Sequence, residues 1–321
     1  MLGTLRFTLA LLVAISHAGI SWGGLNPGVI AVVGFYAISG YVMTALMRRH
    51  YTGLNCIPAF YADRALRLLP AYYAVMLLTL AWLVWHGPVT PYLERIPTLT
   101  DFANNLLVVP LNYYMWNSSD RLTLIPPAWS LGCEIQFYLL FPFILLLRLR
   151  SHALVISFVV YLLAFTGRIN TDWFGYRLLP GTLFIFLLGS WLSDLHSRGR
   201  GAGLLAWSVS LVAFGLALWG GRMDLLNAPF NRETLAGLAL ALPLLHLLAP
   251  RTRRDWDDQV GDLSYGVFLS HFLIYWMWPG AESGKAALAL RLLAVLVVAW
   301  GLNRLIERPA LNWRRRLRNV K

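Results

Sequence analysis

Long apolar runs, broken at short intervals by arginine clusters, prolines and glycines, dominate this chain. Ten of them predict helices that cross a bilayer, at residues 5–22, 28–47, 69–86, 127–147, 151–167, 177–195, 202–220, 232–249, 262–279 and 285–306. A helix rises about 1.5 Å per residue, so roughly 20 residues cross a hydrocarbon core about 30 Å thick. Span 151–167 is the shortest, and the longest interval, 87–126, leaves no room for a sizeable soluble domain. The predicted fold class is all-α and integral to the membrane, with about ten transmembrane helices.

Composition agrees with that pattern. Apolar residues make up 58% of the chain and charged residues 13%, against about 25% charged in soluble domains. The mean hydropathy is +0.59. Charge then sets orientation. With the N-terminus inside, Arg6 stands at the inner end of the first span, four Arg lie in the first inner loop, and two, two and three in the next. Seven more follow in the C-terminal segment, so nineteen of the 27 Lys and Arg fall inside. The positive-inside rule then predicts that both N- and C-termini are cytoplasmic. The net charge of +12 is an orientation signal and a rim for membrane lipids, and no nucleic-acid partner is predicted.

Arg6 and His17 stand on one apolar run, LRFTLALLVAISHAG. Eleven steps of a helix separate them by roughly 16 Å, so an Arg6 at one face predicts a His17 near mid-membrane. Ionisable groups are expensive there and tend to line a cavity or a reaction path. A secretory signal competes for the same residues, with Arg6 as its basic region and Ser16-His17-Ala18 as the cut; a retained span is expected. Cys56 and Cys133 lie on the inner side and within a span, so both are predicted to be free thiols. No CxxC, Gly-rich nucleotide loop or HExxH motif occurs, and no metal is expected.

Five blocks then follow in order: R-x10-H in the first span, GFYAISGYVMT in the second, FYADRALRLLPAYY entering the third, PAWSLGCEIQFYLLFP opening the fourth and LSYGVFLSHFLIY in the ninth. In these blocks the chain resembles acyltransferase family 3, bacterial inner-membrane O-acyltransferases that modify cell-surface and secreted glycans. The resemblance runs from about residue 4 to residue 309. It implies an acyl-coenzyme A donor, acetyl-CoA foremost, and a glycan acceptor such as lipopolysaccharide or exopolysaccharide. It also implies residence in the bacterial inner (cytoplasmic) membrane. The expected organisation is a transmembrane acyltransferase domain over 1–309 and a basic cytoplasmic tail over 310–321. The hydrolase-like periplasmic domain that some members carry is not expected.

Individual residues carry both a chemical and a structural reading. Arg64 and Arg67, three apart, share a helix face, and Arg48 lies across the same inner loop. Guanidinium forks suit phosphate; anchoring by the positive-inside rule explains the same arginines, and the resemblance tips them towards the donor's phosphates. Ser130, Glu134 and Tyr138, spaced by four, form a polar stripe on one helix. Glu134 could fix the tautomer of His17 as a triad carboxylate does, or be satisfied by neighbouring hydroxyls and indoles. Trp129 and Gln136 pack and orient that stripe. Ser39 and Gly40 suit close helix packing first and a slender pantetheine arm second. His271 is either a site residue or a core histidine. Asn112 and Trp116 could hold a sugar, although aromatics of segment 87–126 also make an interfacial belt.

Together these expectations describe a membrane enzyme that moves an acyl group from cytoplasmic acyl-CoA to a hydroxyl facing the periplasm. Arg6 guides the donor, and His17 acts as general base or carries the acyl group briefly. A relative using succinyl or a longer acyl group fits the same residues. A non-enzymatic exporter or flippase of a lipid-linked glycan would also place His and Glu in the membrane, but neither inverted repeats nor paired broken helices are seen.

Overall fold

A computed structural model describes residues 1–87, 90, 92–94, 96–251, 254–278 and 284–319, with side chains to Trp313. Pro88, Arg253, Pro279 at the end of the predicted ninth span, and Lys321 lie outside the described residues. In chain order the helices are α1 (Leu2–His17), α2 (Pro27–His50), α3 (Ile57–His86), α4 (Leu99–Leu107) and the single turn α5 (Tyr114–Asn117). There follow α6 (Ala128–Leu146), α7 (Arg150–Phe165), α8 (Leu179–Ser197), α9 (Ala202–Arg222) and α10 (Asn231–Leu248). The last are α11 (Asp255–Met277), α12 (Lys285–Leu302) and α13 (Arg308–Asn319). Among the described residues, short 3-10 and π-helical turns and isolated β-bridges accompany them.

A helix occupies the position of each of the ten predicted spans. Among the described residues, six helical segments are long and apolar enough to cross a membrane: Pro27–His50, Leu54–His86, Ala128–Leu146, Trp173–Ser197, Ala202–Arg222 and Lys285–Trp313. The helices α1 and α7 are apolar but shorter. The first predicted span, 5–22, stops early: α1 ends at His17, and Gly19 follows at φ 83°, a left-handed conformation that glycine adopts without strain. The third starts earlier than its hydropathy suggests, because α3 runs through the polar stretch ADRALR. The expected domain boundary after Pro309 falls within α13.

Two compact units divide the chain, the first comprising Met1–Pro58 and Gln136–Gly261, the second Ala59–Ile135 and Asp262–Lys321. In the first, α2 packs on α8, α10 and α1, α7 packs on α8, and α9 on α10. A β-carbon at Gly40 would overlap the Phe186 carbonyl, and one at Gly189 would overlap that of Ala37, so two glycines let the α2 and α8 backbones touch. Tyr36 and Phe137 stack on Phe186 at ring distances of 4.6 and 4.3 Å, and Thr44 Oγ1 donates to Ser190 Oγ at 2.7 Å. Dry small-residue contacts of this kind are what association within lipid relies on.

The second unit is tied together by polar side chains. Asn105 is fully buried; its amide donates to the carbonyls of Asp101 (2.9 Å) and Leu122 (3.0 Å), while its Oδ1 accepts from Leu124 N (2.9 Å). Tyr72 donates to the Asn105 carbonyl at 2.7 Å. Thr98 and Asp101 close a capping box at the start of α4. A π-helical turn, Asn303–Glu307, joins α12 to α13 and carries a buried Glu307.

Candidate functional site

In the first unit, α1 carries both Arg6 and His17. Eleven residues at about 100° each come within roughly 20° of three full turns, so the two side chains share a helix face about 16 Å apart. Arg6 Nη2 donates to the Gly261 carbonyl at 2.9 Å. His17 is the last residue of α1 and is exposed, where the sequence predicted burial within a longer span; the Ala18–Gly19 turn ends the helix there.

The other end of α1 hangs on Asp257. Its Oδ1 accepts from Thr4 N (2.8 Å) and Thr4 Oγ1 (2.6 Å), and its Oδ2 from Gly3 N (3.0 Å). These are otherwise unsatisfied N-terminal amides of a helix. Burial pushes the Asp257 carboxyl up, but the bonds from Thr4 and Gly3 and the nearby N-terminal ammonium outweigh it and hold it below the ordinary carboxylate value. A lowered folded-state value means that Asp257 stabilises the fold above the ordinary carboxylate range and loses this contribution as pH falls through the lowered value. Asp257→Asn is expected to lose about 1–3 kcal/mol at neutral pH. Melting curves should show the gap to wild type closing on acidification; a gap independent of pH would contradict this role.

Ser39 is buried in α2, its Oγ 3.2 Å from the Tyr138 hydroxyl. Arg48 donates to both oxygens of Asp194, from Nε at 3.3 Å and Nη2 at 3.0 Å. Asp194 is shared: the buried Arg150 reaches Oδ2 at 2.5 Å and also donates to Ser190 Oγ at 3.1 Å. Trp191 lies under the Arg150 guanidinium at 4.4 Å.

In the second unit, each arginine of the predicted phosphate pair has a carboxylate. Arg64 pairs with its neighbour Asp63, and Arg67 Nη1 meets Glu307 Oε2 at 2.9 Å. Tyr265 lies beside this pair, with Arg67 6.0 Å from its ring, and the charges of Glu307, Arg67 and Glu134 all act on its hydroxyl. Its hydroxyl donates to the Leu68 carbonyl at 3.0 Å. Glu134 and Trp129 are half-buried on α6, whereas Ser130 is buried and spends its hydroxyl on the Pro127 carbonyl at 2.9 Å. His271 is fully buried and its Nδ1–H donates to the Val267 carbonyl at 3.0 Å, the geometry of a core histidine. Asn112 is fully buried, while Trp116 is 58% exposed and stacks on Tyr113 at 5.8 Å.

Arg67, Glu134 and Tyr265 are thus gathered within one unit, and Arg6 with His17 on one helix of the other. Asp257, Asp194 and Glu307 escaped sequence reasoning, since a lone carboxylate at the edge of an apolar run does not name its partner. Buried charges are almost always paired, so Asp194, within a predicted span, was the signal available. Among the described residues no group of three or more His, Cys, Asp or Glu is placed to hold a metal ion.

Comparison with known proteins bears on this geometry. The acyltransferase domain that defines acyltransferase family 3 matches residues 2–304. An uncharacterised protein of Aquifex aeolicus is 36% identical over 54% of this chain and 81% of its own. A candidate O-acetyltransferase of Staphylococcus aureus is 30% identical over 46% of this chain and 24% of its own. The peptidoglycan O-acetyltransferase of Listeria monocytogenes is 26% identical over 56% of this chain and 29% of its own. The chain therefore spans under a third of the length of these two O-acetyltransferases. No solved structure matches. With nearly the whole chain matched, it belongs to acyltransferase family 3.

Proposed function

We propose that this protein is a membrane O-acyltransferase that takes an acyl group, acetyl foremost, from cytoplasmic acyl-CoA and passes it to a hydroxyl of a glycan on the periplasmic side. The match across residues 2–304 carries the proposal, and the shared face of Arg6 and His17 on α1 supports it. In this proposal ten helices cross the bacterial inner membrane with both termini inside. Residues 1–309 form the acyltransferase domain and 310–321 a basic cytoplasmic tail. His17 removes the proton of the acceptor hydroxyl, whose oxygen attacks the thioester carbonyl. The carbon–sulfur bond breaks, and the coenzyme thiolate takes the proton back from the imidazolium. Transfer through an acyl-imidazole uses the same residue. Glu134 joins His17 in handling the proton; Trp116 and Asn112, with Ser130, Tyr138, Trp129 and His271, belong to the acceptor side.

Arg64 and Arg67 are assigned to the donor's phosphates, with Arg48, Arg6 and Ser39 along its path. Both Arg64 and Arg67 already hold carboxylates, so alanine would strand buried charge. Lysine keeps the charge and removes the fork. Arg64→Lys with Arg67→Lys is expected to raise KM for acyl-CoA about tenfold or more, since a charge-assisted bond contributes about 1.5–3 kcal/mol, while melting stays near wild type. An unchanged KM would reduce both to ion-pair anchors. The function itself is tested by mass spectrometry of surface glycans: an ester lost on deletion and restored by complementation is expected, and identical glycans would overturn it.

A further inference from the structure

A cavity of about 680 Å³ opens at the ends of α2 and α8, within the first unit, walled by Tyr41, Arg48, Arg49, Asp194, His196 and Arg198. Asp194 is the one carboxylate on its wall, and the buried Arg150 behind it matches that charge at 2.5 Å. Arg48, Arg49 and Arg198 therefore face the cavity as three positive charges in excess. Among the described residues no ion pair joins Arg49 or Arg198 to a carboxylate.

The plain explanation for arginines here is the helix dipole. Arg48 and Arg49 lie in the last turn of α2, and Arg198 caps the end of α8. Each helix C-terminus amounts to about −0.5 charge. Pro250, just beyond α10, also lines the cavity, so counting three helix ends still leaves the cavity with more than about one positive charge in excess. Dipole compensation also needs no cavity and no ordered wall. Here the wall is ordered: His196 Nδ1 meets the Tyr41 hydroxyl at 3.0 Å and its Nε2 meets His246 Nδ1 at 2.9 Å. Arg48 is held against Asp194 while its side chain stays 56% exposed.

Size and location narrow the occupant. The volume falls within the usual 300–1,000 Å³ or so of ligand sites, far more than one inorganic phosphate fills. Both α2 and α8 belong to segments long and apolar enough to cross a membrane. Their ends therefore lie near headgroup depth, where basic pockets between helices take lipid phosphates. We propose that this cavity binds a phosphate ester, with the phosphate among Arg48, Arg49 and Arg198 and the organic part in the remaining volume. The source is either the headgroup of an anionic phospholipid or a soluble nucleotide. Arg48 is shared with the donor path proposed above; the cavity itself is argued from the first unit's geometry, and its test reads binding through Arg49 and Arg198 rather than acyl transfer.

The test uses the full chain in phosphatidylcholine nanodiscs, with Tm read by tryptophan fluorescence. Two probes are compared, phosphatidylglycerol built into the disc and adenosine 3′,5′-bisphosphate in solution. Wild type is compared with Arg49→Ala/Arg198→Ala, and with a control lacking two exposed arginines elsewhere, Arg121→Ala/Arg222→Ala. At least one probe is expected to raise the wild-type Tm, with the shift more than halved in the cavity variant and kept in the control. A response to phosphatidylglycerol alone identifies a lipid site, and one to the nucleotide alone a soluble ligand. No shift in wild type with either probe, or equal shifts in both variants, overturns the proposal.

Discussion

His17→Ala is expected to lower acyl transfer by about 10²–10⁴-fold, the usual contribution of a positioned general base, and by more if the imidazole carries the acyl group. The effect separates chemistry from folding because of where His17 stands. It is exposed at the end of α1, so its replacement leaves the packed core in place. A deficit of two or more decades in rate therefore has no structural explanation if melting is unchanged. His17→Gln keeps hydrogen bonding but cannot shuttle a proton, and should be nearly as inactive. Purified wild type and both variants, each supplied with acyl-CoA and acceptor, provide the comparison. Full activity in either variant ends the role of His17.

The largest effect on stability is expected at Asp194. Its carboxylate is buried and meets Arg150, whose side chain is only 10% exposed. Asp194→Asn keeps the shape but leaves that guanidinium without its countercharge. Removing one partner of a buried pair costs about 3–5 kcal/mol, whereas replacing both by apolar groups of similar volume is often neutral. Asp194→Leu combined with Arg150→Met should therefore recover most of what the single change loses. Arg48→Ala, which removes the exposed partner, should lose no more than about 1 kcal/mol. Thermal unfolding in detergent measures all three; a wild-type Tm for Asp194→Asn would show that the pair contributes nothing to the fold.

Much of the helical order was legible because an apolar run of about 20 residues has few alternatives in a membrane protein. The misreadings were local. Apolar Ile20 and Trp22 extended the first run on paper, but Gly19, Gly23 and Gly24 all adopt positive φ and end it. Charges at Asp63, Arg64 and Arg67 hid the start of α3, which tolerates them because each is paired. The pairs themselves were not legible. Arg67 finds Glu307 across 240 positions and Arg150 finds Asp194 across 44, and spacing within a helix says nothing about either. For the site, Arg6 and His17 do stand on one helix, whereas Ser130 donates to the Pro127 carbonyl just ahead of its own helix and His271 to the Val267 carbonyl one turn back. Asp257 holds α1 from a distant segment, and only the fold could reveal it.

Transfer across a membrane is the central claim, and sealed proteoliposomes test it most directly. Acyl-CoA labelled in its acyl carbonyl is supplied on the side of the C-terminus, with a sugar acceptor trapped on the other side. Label should appear as an ester on the trapped sugar, one per free coenzyme thiol released, and should vanish with His17→Ala. Label that stays on the coenzyme, or that reaches the sugar only when both share one compartment, would contradict it.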